Sequence, residues 1–165
     1  MRNRIPPLRA LLVGGDANLP ALRPWEGCTK VWHNSLFVLE KLGNVWRAAG
    51  RLPHPAGHGL SVAVLEGVLL IGGGDASEIF TRVLLARWYG QMVANKNLPP
   101  VPMPLAMHTG ALLGRIVYAV GGLEQPNATA ARKAFLALDL DHPAASWRDL
   151  EQARVPTGWF YEDKS

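Results

Sequence analysis

Six polar side chains stand in stretches rich in Gly, Pro or polar residues, and each has chemistry to offer: Asn18, Glu26, Lys30, His58, Asp75 and His108. The Asn18 amide both donates and accepts, which suits a ligand carrying hydroxyls. Glu26 and Lys30 lie in one loop, where a carboxylate–ammonium pair can also grip a ligand carboxylate. The same pair serves equally as an exposed salt bridge worth under about 1 kcal/mol. His58 and His108 each stand at the head of an apolar, strand-like run, suited to ligand contact or to a packed, hydrogen-bonded imidazole. Asp75 follows Gly72-Gly73-Gly74, where an Asx-type turn explains an aspartate as well as ligand contact does.

Other patterns fail on spacing. His33, His54, His58, His108 and His142 lack metal-ligand spacing, and Pro53, Pro55 and Gly57 exclude the helix that would put His54 and His58 on one face. Cys28 is the only cysteine, which rules out an intrachain disulfide and a cysteine-based zinc site. Gly72-Gly73-Gly74 precedes neither Lys-Ser/Thr nor a helix start, so it is not a phosphate loop. No metal or cofactor is expected. Asn127-Ala128-Thr129 fits a glycosylation acceptor, which matters only in a eukaryotic secretory pathway.

The net charge of +4 comes from basic residues scattered singly, the densest group being Arg2, Arg4 and Arg9, so nucleic acid is not an expected partner. No apolar run approaches the roughly 18 residues of a membrane span. Ala10–Val13 is too short for the apolar core of a secretory leader and reads as a strand. At 48% apolar and 18% charged residues, the 165-residue chain has the composition of a folded domain.

The elements that must position these side chains recur. An apolar run ending in a glycine pair appears as Leu11-Leu12-Val13-Gly14-Gly15, Val68–Gly73 and Ile116–Gly122. From Gly14 to Gly72 is a step of 58 residues and from Gly72 to Gly121 one of 49, the difference being a loop insertion. The second and third runs follow a partner strand, Leu60–Leu65 or Thr109–Leu113, across a short Gly-containing turn. A third strand follows each pair at Ser35–Glu40, Arg82–Arg87 and Ala134–Leu140. A fourth is expected at Val45–Arg47, Gln91–Ala94 and Ser146–Arg148, with Trp46 and Trp147 burying large surfaces between repeats. The helical propensity of Ala128–Phe135 falls where a loop leads into a third strand. The expected fold is all-β, about three four-stranded antiparallel blades of a propeller. Blade 1 spans about 8–50 without its first strand, blade 2 about 56–97, blade 3 about 104–150, and 151–165 form a non-matching tail.

Glycine pair, aliphatic strand and late Trp together resemble the kelch pattern. The loop Gly14-Gly15-Asp16-Ala17-Asn18-Leu19-Pro20, continued by Pro24-Trp25-Glu26-Gly27-Cys28-Thr29-Lys30-Val31-Trp32, is more particular. It resembles the permuted branch of the sialic-acid mutarotases (N-acetylneuraminate epimerases). The likeness continues at Leu52-Pro53, His58–Val62, Leu98–Pro104 and Phe135–Leu140, spanning about 9–150 in all. His54 and His58 stand where that family carries a basic residue and an aromatic, and Leu19 where it carries Phe.

The resemblance implies a sugar ligand at the mouth of the channel, for which the six residues named first are the candidate contacts, and a periplasmic or secreted location. Mutarotation opens and closes a hemiketal, which takes a general acid and a general base. The Glu and Arg proposed for those roles in the family align beyond residue 150, so no residue here inherits them and the chain is expected to be a truncated form, inactive alone. Some kelch proteins are copper oxidases with a Tyr–Cys crosslink, but the Cys28 loop does not resemble that site. A non-enzymatic kelch module that binds a protein or glycan remains the alternative. Open blade edges also invite self-association.

Overall fold

The computed structural model describes residues 10–13, 16–17, 30–41, 43–65 and 67–150. The glycine pair Gly14-Gly15, the candidates Asn18 and Glu26, and the tail 151–165 lie outside the described residues. Thirteen strands are described, all in antiparallel pairs, with one 3-10 turn at Pro143–Ala145 as the helical element among these residues.

Three sheets follow one another along the chain as blades. The first joins β1 (Ala10–Val13), β4 (Ser35–Leu39) and β5 (Arg47–Arg51). The second orders β6 (Leu60–Val64), β7 (Gly67–Ile71), β8 (Val83–Trp88) and β9 (Val93–Leu98) as a meander. The third repeats that order with β10 (Thr109–Leu113), β11 (Ile116–Val120), β12 (Phe135–Asp139) and β13 (Arg148–Asp149). The long first loop is pinched by a ribbon of β2 (Asp16–Ala17) and β3 (Lys30–Val31), which pairs Ala17 with Lys30. The loop 121–134 leads into β12 without a helix, in agreement with the sequence reading.

Alternation along the strands sends side chains to two cores. Leu69, Ile71, Val83 and Leu85 of the second sheet meet Val117, Ala119, Leu136 and Leu138 of the third. Leu70 turns the other way and meets Leu36, Val38 and Ala49 of the first sheet, with Val68, Leu84 and Trp88 packed around them. The middle sheet is therefore apolar on both faces and covered on both, as a blade between neighbours must be.

Where they are described, the glycine pairs bend the chain and admit a close neighbour. Gly72 has φ +60°, and a Cβ there would collide with the Leu105 carbonyl oxygen. Gly122 has φ +101°, and a Cβ there would come within 2.9 Å of the Ala106 carbonyl oxygen. Both bends thus need the positive φ and the bare Cα that glycine supplies. Next to them, the Gly73 N–H donates to the Leu105 carbonyl at 2.8 Å and ties the second blade to the segment that opens the third.

All three expectations for the fourth strands are corrected; in the third repeat the strand is Arg148–Asp149 rather than Ser146–Arg148, because Ser146 still caps the 3-10 turn. Val45 and Trp46 are not in a strand: they belong to the β4–β5 connection, where Asn44 N–H bonds back to the Lys41 carbonyl, and β5 starts at Arg47. Trp46 is 43% exposed and supplies no burial of the kind Trp147 does at 9%. In the middle repeat Tyr89 and Met92 close a tight turn, so the strand begins at Val93 rather than Gln91. Trp88, at the end of β8, packs against the joint of the first two blades and has the Arg47 guanidinium 5.9 Å from its ring. Trp147 instead locks the second joint, its Nε1–H donating to the Pro99 carbonyl at 2.9 Å.

This contrast predicts mutational costs. Trp147→Ala should cost about 3–5 kcal/mol, the usual loss for a buried aromatic. Trp46→Ala should stay within about 0.5 kcal/mol, as surface changes do. Urea denaturation followed by circular dichroism measures both.

Candidate functional site

At the head of the second and third inner strands, extra bridges carry the sheets beyond their ladders. Gly57 pairs with Gly74, and Ala106 pairs with Leu123. Between them opens a cavity of about 380 Å³ lined by His58, Asp75, Met107 and Trp32 among others. The sequence-derived candidates His58 and Asp75 are thus brought to one cavity.

His58 and Met107 are equivalent residues, 49 positions apart, each two residues ahead of its inner strand. Both hold left-handed backbone, at φ 58° and 53°, a region that costs a residue with a Cβ about 1–3 kcal/mol. The Met107 N–H donates to the His58 carbonyl at 2.8 Å, which fixes one mouth position against the next. The His58 imidazole is exposed and meets the Trp32 indole edge to face, centroids 5.2 Å apart. Trp32 in turn lies so close over Gly57 that a Cβ at 57 would enter its ring.

Asp75 forms the Asx-type turn that its position after three glycines suggested. Its Oδ1 accepts from the Ser77 hydroxyl at 2.6 Å, the Ser77 N–H at 2.8 Å and the Glu78 N–H at 3.1 Å. The hydrogen bond from the Ser77 hydroxyl, then the one from its N–H, hold the carboxyl below the usual aspartate range. Asp75 is therefore an acceptor at neutral pH.

His108 is placed differently. It does not line the cavity but is buried between the two glycine bends, with its Cε1 beside Gly72 and its Cβ beside Gly122. Neither ring nitrogen has a hydrogen-bond partner among the described residues. Burial disfavours the imidazolium and pushes the pKa down to about 4. Lys30 sits in the β2–β3 ribbon, paired through its backbone with Ala17, and Asn18 and Glu26 are outside the described residues. Trp32 and Met107 were not among the sequence-derived candidates. Trp32 was legible only as the end of the first-blade loop pattern, and nothing in the sequence marks Met107 as left-handed.

The His108 shift has a sign that can be checked. With the folded pKa near 4 against 6.5 for the ordinary group, the unfolded chain binds more protons between those values. Stability should therefore fall as the pH drops through 6.5 towards 4, by about 2 kcal/mol between neutral pH and pH 5. Urea midpoints across this range should show that slope in the parent chain, and His108→Leu should flatten it.

No protein-family model matches the chain. Curated relatives do. The N-acetylneuraminate epimerase of Yersinia pestis (strain Pestoides F) is 35% identical over a 95-residue alignment covering 50% of this chain and 23% of the relative. The N-acetylneuraminate epimerase of Haemophilus influenzae (strain PittEE) is 36% identical over 90 residues, covering 48% of this chain and 24% of the relative. The chain thus spans about a quarter of the length of these relatives. Among solved structures, a fungal alcohol oxidase of the AA5 family in complex with copper superposes with a TM-score of 0.59 at 17% identity, covering 72% of this chain and 29% of that one. At that identity the likeness concerns the fold alone. The chain is a run of propeller blades, and over half its length it is a sequence relative of the N-acetylneuraminate epimerases.

Proposed function

We propose that this chain forms part of the sugar-binding mouth of a kelch-type propeller with mutarotase-like function towards sialic acid. The observation that carries the reading is the 35% identity to proteins named N-acetylneuraminate epimerase. The mouth cavity suits it: the ionised Asp75 carboxylate can accept from sugar hydroxyls, and the Trp32 indole offers an apolar surface to a pyranose. His58 presents an imidazole that can donate or accept at the same rim. Asn18, Glu26 and Lys30 remain part of the proposal on the first-blade sequence pattern alone, whereas His108, buried away from the cavity, is not a ligand contact in it.

Ring opening and closing requires an acid and a base across the anomeric centre. The resemblance assigns neither role to a residue of this chain. Saturable binding of N-acetylneuraminate without faster anomer exchange is therefore expected. Proton NMR of the freshly dissolved sugar reads both quantities. Absence of binding defeats the carbohydrate reading, and acceleration by this chain alone defeats its inactivity. Trp32→Ala should weaken binding roughly tenfold, the loss expected for one aromatic contact.

A second reading, a protein-binding module, is favoured by the outer face of the third blade. The Tyr118 and Phe135 rings meet there at a tilt, centroids 5.9 Å apart, on a face that also carries Val120 at 40% exposure and Leu113 at 72%. Tyr118 and Val120 stand one repeat step after Leu69 and Ile71, the residues with which the second blade receives the third. A second copy offering its first blade can cover that face. Light scattering should then give a concentration-dependent dimer that Tyr118→Glu abolishes, and a stable monomer at high concentration counts against it.

A further inference from the structure

A second cavity, of about 340 Å³, lies on the opposite side of the 72–80 loop, where the second blade faces the first. Its floor is made in register: Leu70 pairs with Leu84, and Leu84 with Asn97, so these three side chains share one face of the sheet. Leu52 completes an apolar wall. At its rim the Arg82 guanidinium lies over the Phe80 ring, 4.4 Å from the centroid, and the His54 ring stands 6.3 Å from the same centroid.

Among the described residues, Arg82 is oriented but not neutralised. Phe80 is buried at 7% exposure, so the ring is a fixed platform for the cation. Among the described residues no carboxylate forms an ion pair with Arg82, and none lines the cavity. Arg82 exerts only the smallest of the pulls on Asp75, whose carboxylate is already held by Ser77 and Glu78. A planar donor group held over an aromatic ring, with an apolar hollow beside it, matches a carboxylate joined to a compact apolar body.

We propose that this cleft binds a small organic carboxylate with an aryl or short alkyl body. The carboxylate takes the outer edge of the Arg82 guanidinium, and the body enters the hollow over Leu70 and Leu84. His54, beside Phe80, adds a donor at the rim. The site is separate from the mouth cavity and does not rest on the sugar reading.

The test uses the full chain and 3-phenylpropionate, followed through the Arg82 Nε–H resonance in nitrogen–proton NMR. Saturable shifts are expected, with 3-phenylpropan-1-ol and acetate each binding at least about tenfold more weakly, the loss of a charge-assisted hydrogen bond or of the buried body. Arg82→Gln should weaken 3-phenylpropionate to the level of the alcohol, while Arg132→Gln, on the third blade, leaves it unchanged. No saturable shift, or equal binding of the alcohol, overturns the proposal. So does N-acetylneuraminate moving the Arg82 resonance more strongly than 3-phenylpropionate, which would make the cleft part of a sugar site. The comparison of three ligands on the parent chain needs no variant to fold.

Discussion

A four-stranded sheet with apolar side chains on both faces cannot stand alone in water. Every second residue of its strands must find a neighbouring sheet, and so must the residues between. The middle blade meets this demand on both sides, through Leu69, Ile71, Val83 and Leu85 towards one neighbour and Leu70 towards the other. The positions of His58, Asp75 and His108 follow from these two joints, because the segments that carry them spring from strands whose places the joints fix.

The glycine bends translate the joint into a site. At Gly72 and Gly122 the chain passes so close to Leu105 and Ala106 that no side chain fits. That close approach brings Asp75 and His58 to one cavity and encloses His108 away from water. Left-handed backbone at His58 and Met107 is tolerated because hydrogen bonds on either side over-determine it, among them the one that links the two residues. The mouth combines glycines that relieve crowding with two residues that accept strain, a pairing common where loops carry function.

Much of the architecture was legible because blades repeat. The strands from Leu60 to Val64, Gly67 to Ile71, Thr109 to Leu113 and Ile116 to Val120 lie where alternation and glycine pairs put them. The fourth strands were less so. Their residues are exposed and of mixed polarity, as in Val93–Leu98, so periodicity cannot locate their start. A tryptophan alone was a poor guide, since Trp46 sits in a turn and Trp147 in a joint. For the candidate site, residue type located Asp75 and His58. The burial of His108 and the left-handed backbone of Met107 depend on how two sheets meet, which a single segment does not encode.

The ribbon of β2 and β3 has a consequence for how such a chain can change over generations. Pairing Asp16 with Val31 and Ala17 with Lys30 holds the two ends of the intervening stretch about one strand spacing apart, near 5 Å. Whatever number of residues lies between them, the first blade receives the chain back at the same place. Closing a longer loop costs little more than closing a shorter one. Insertions and deletions there are therefore nearly neutral for the blade. The length of that stretch is free to vary while the scaffold that carries it stays constant.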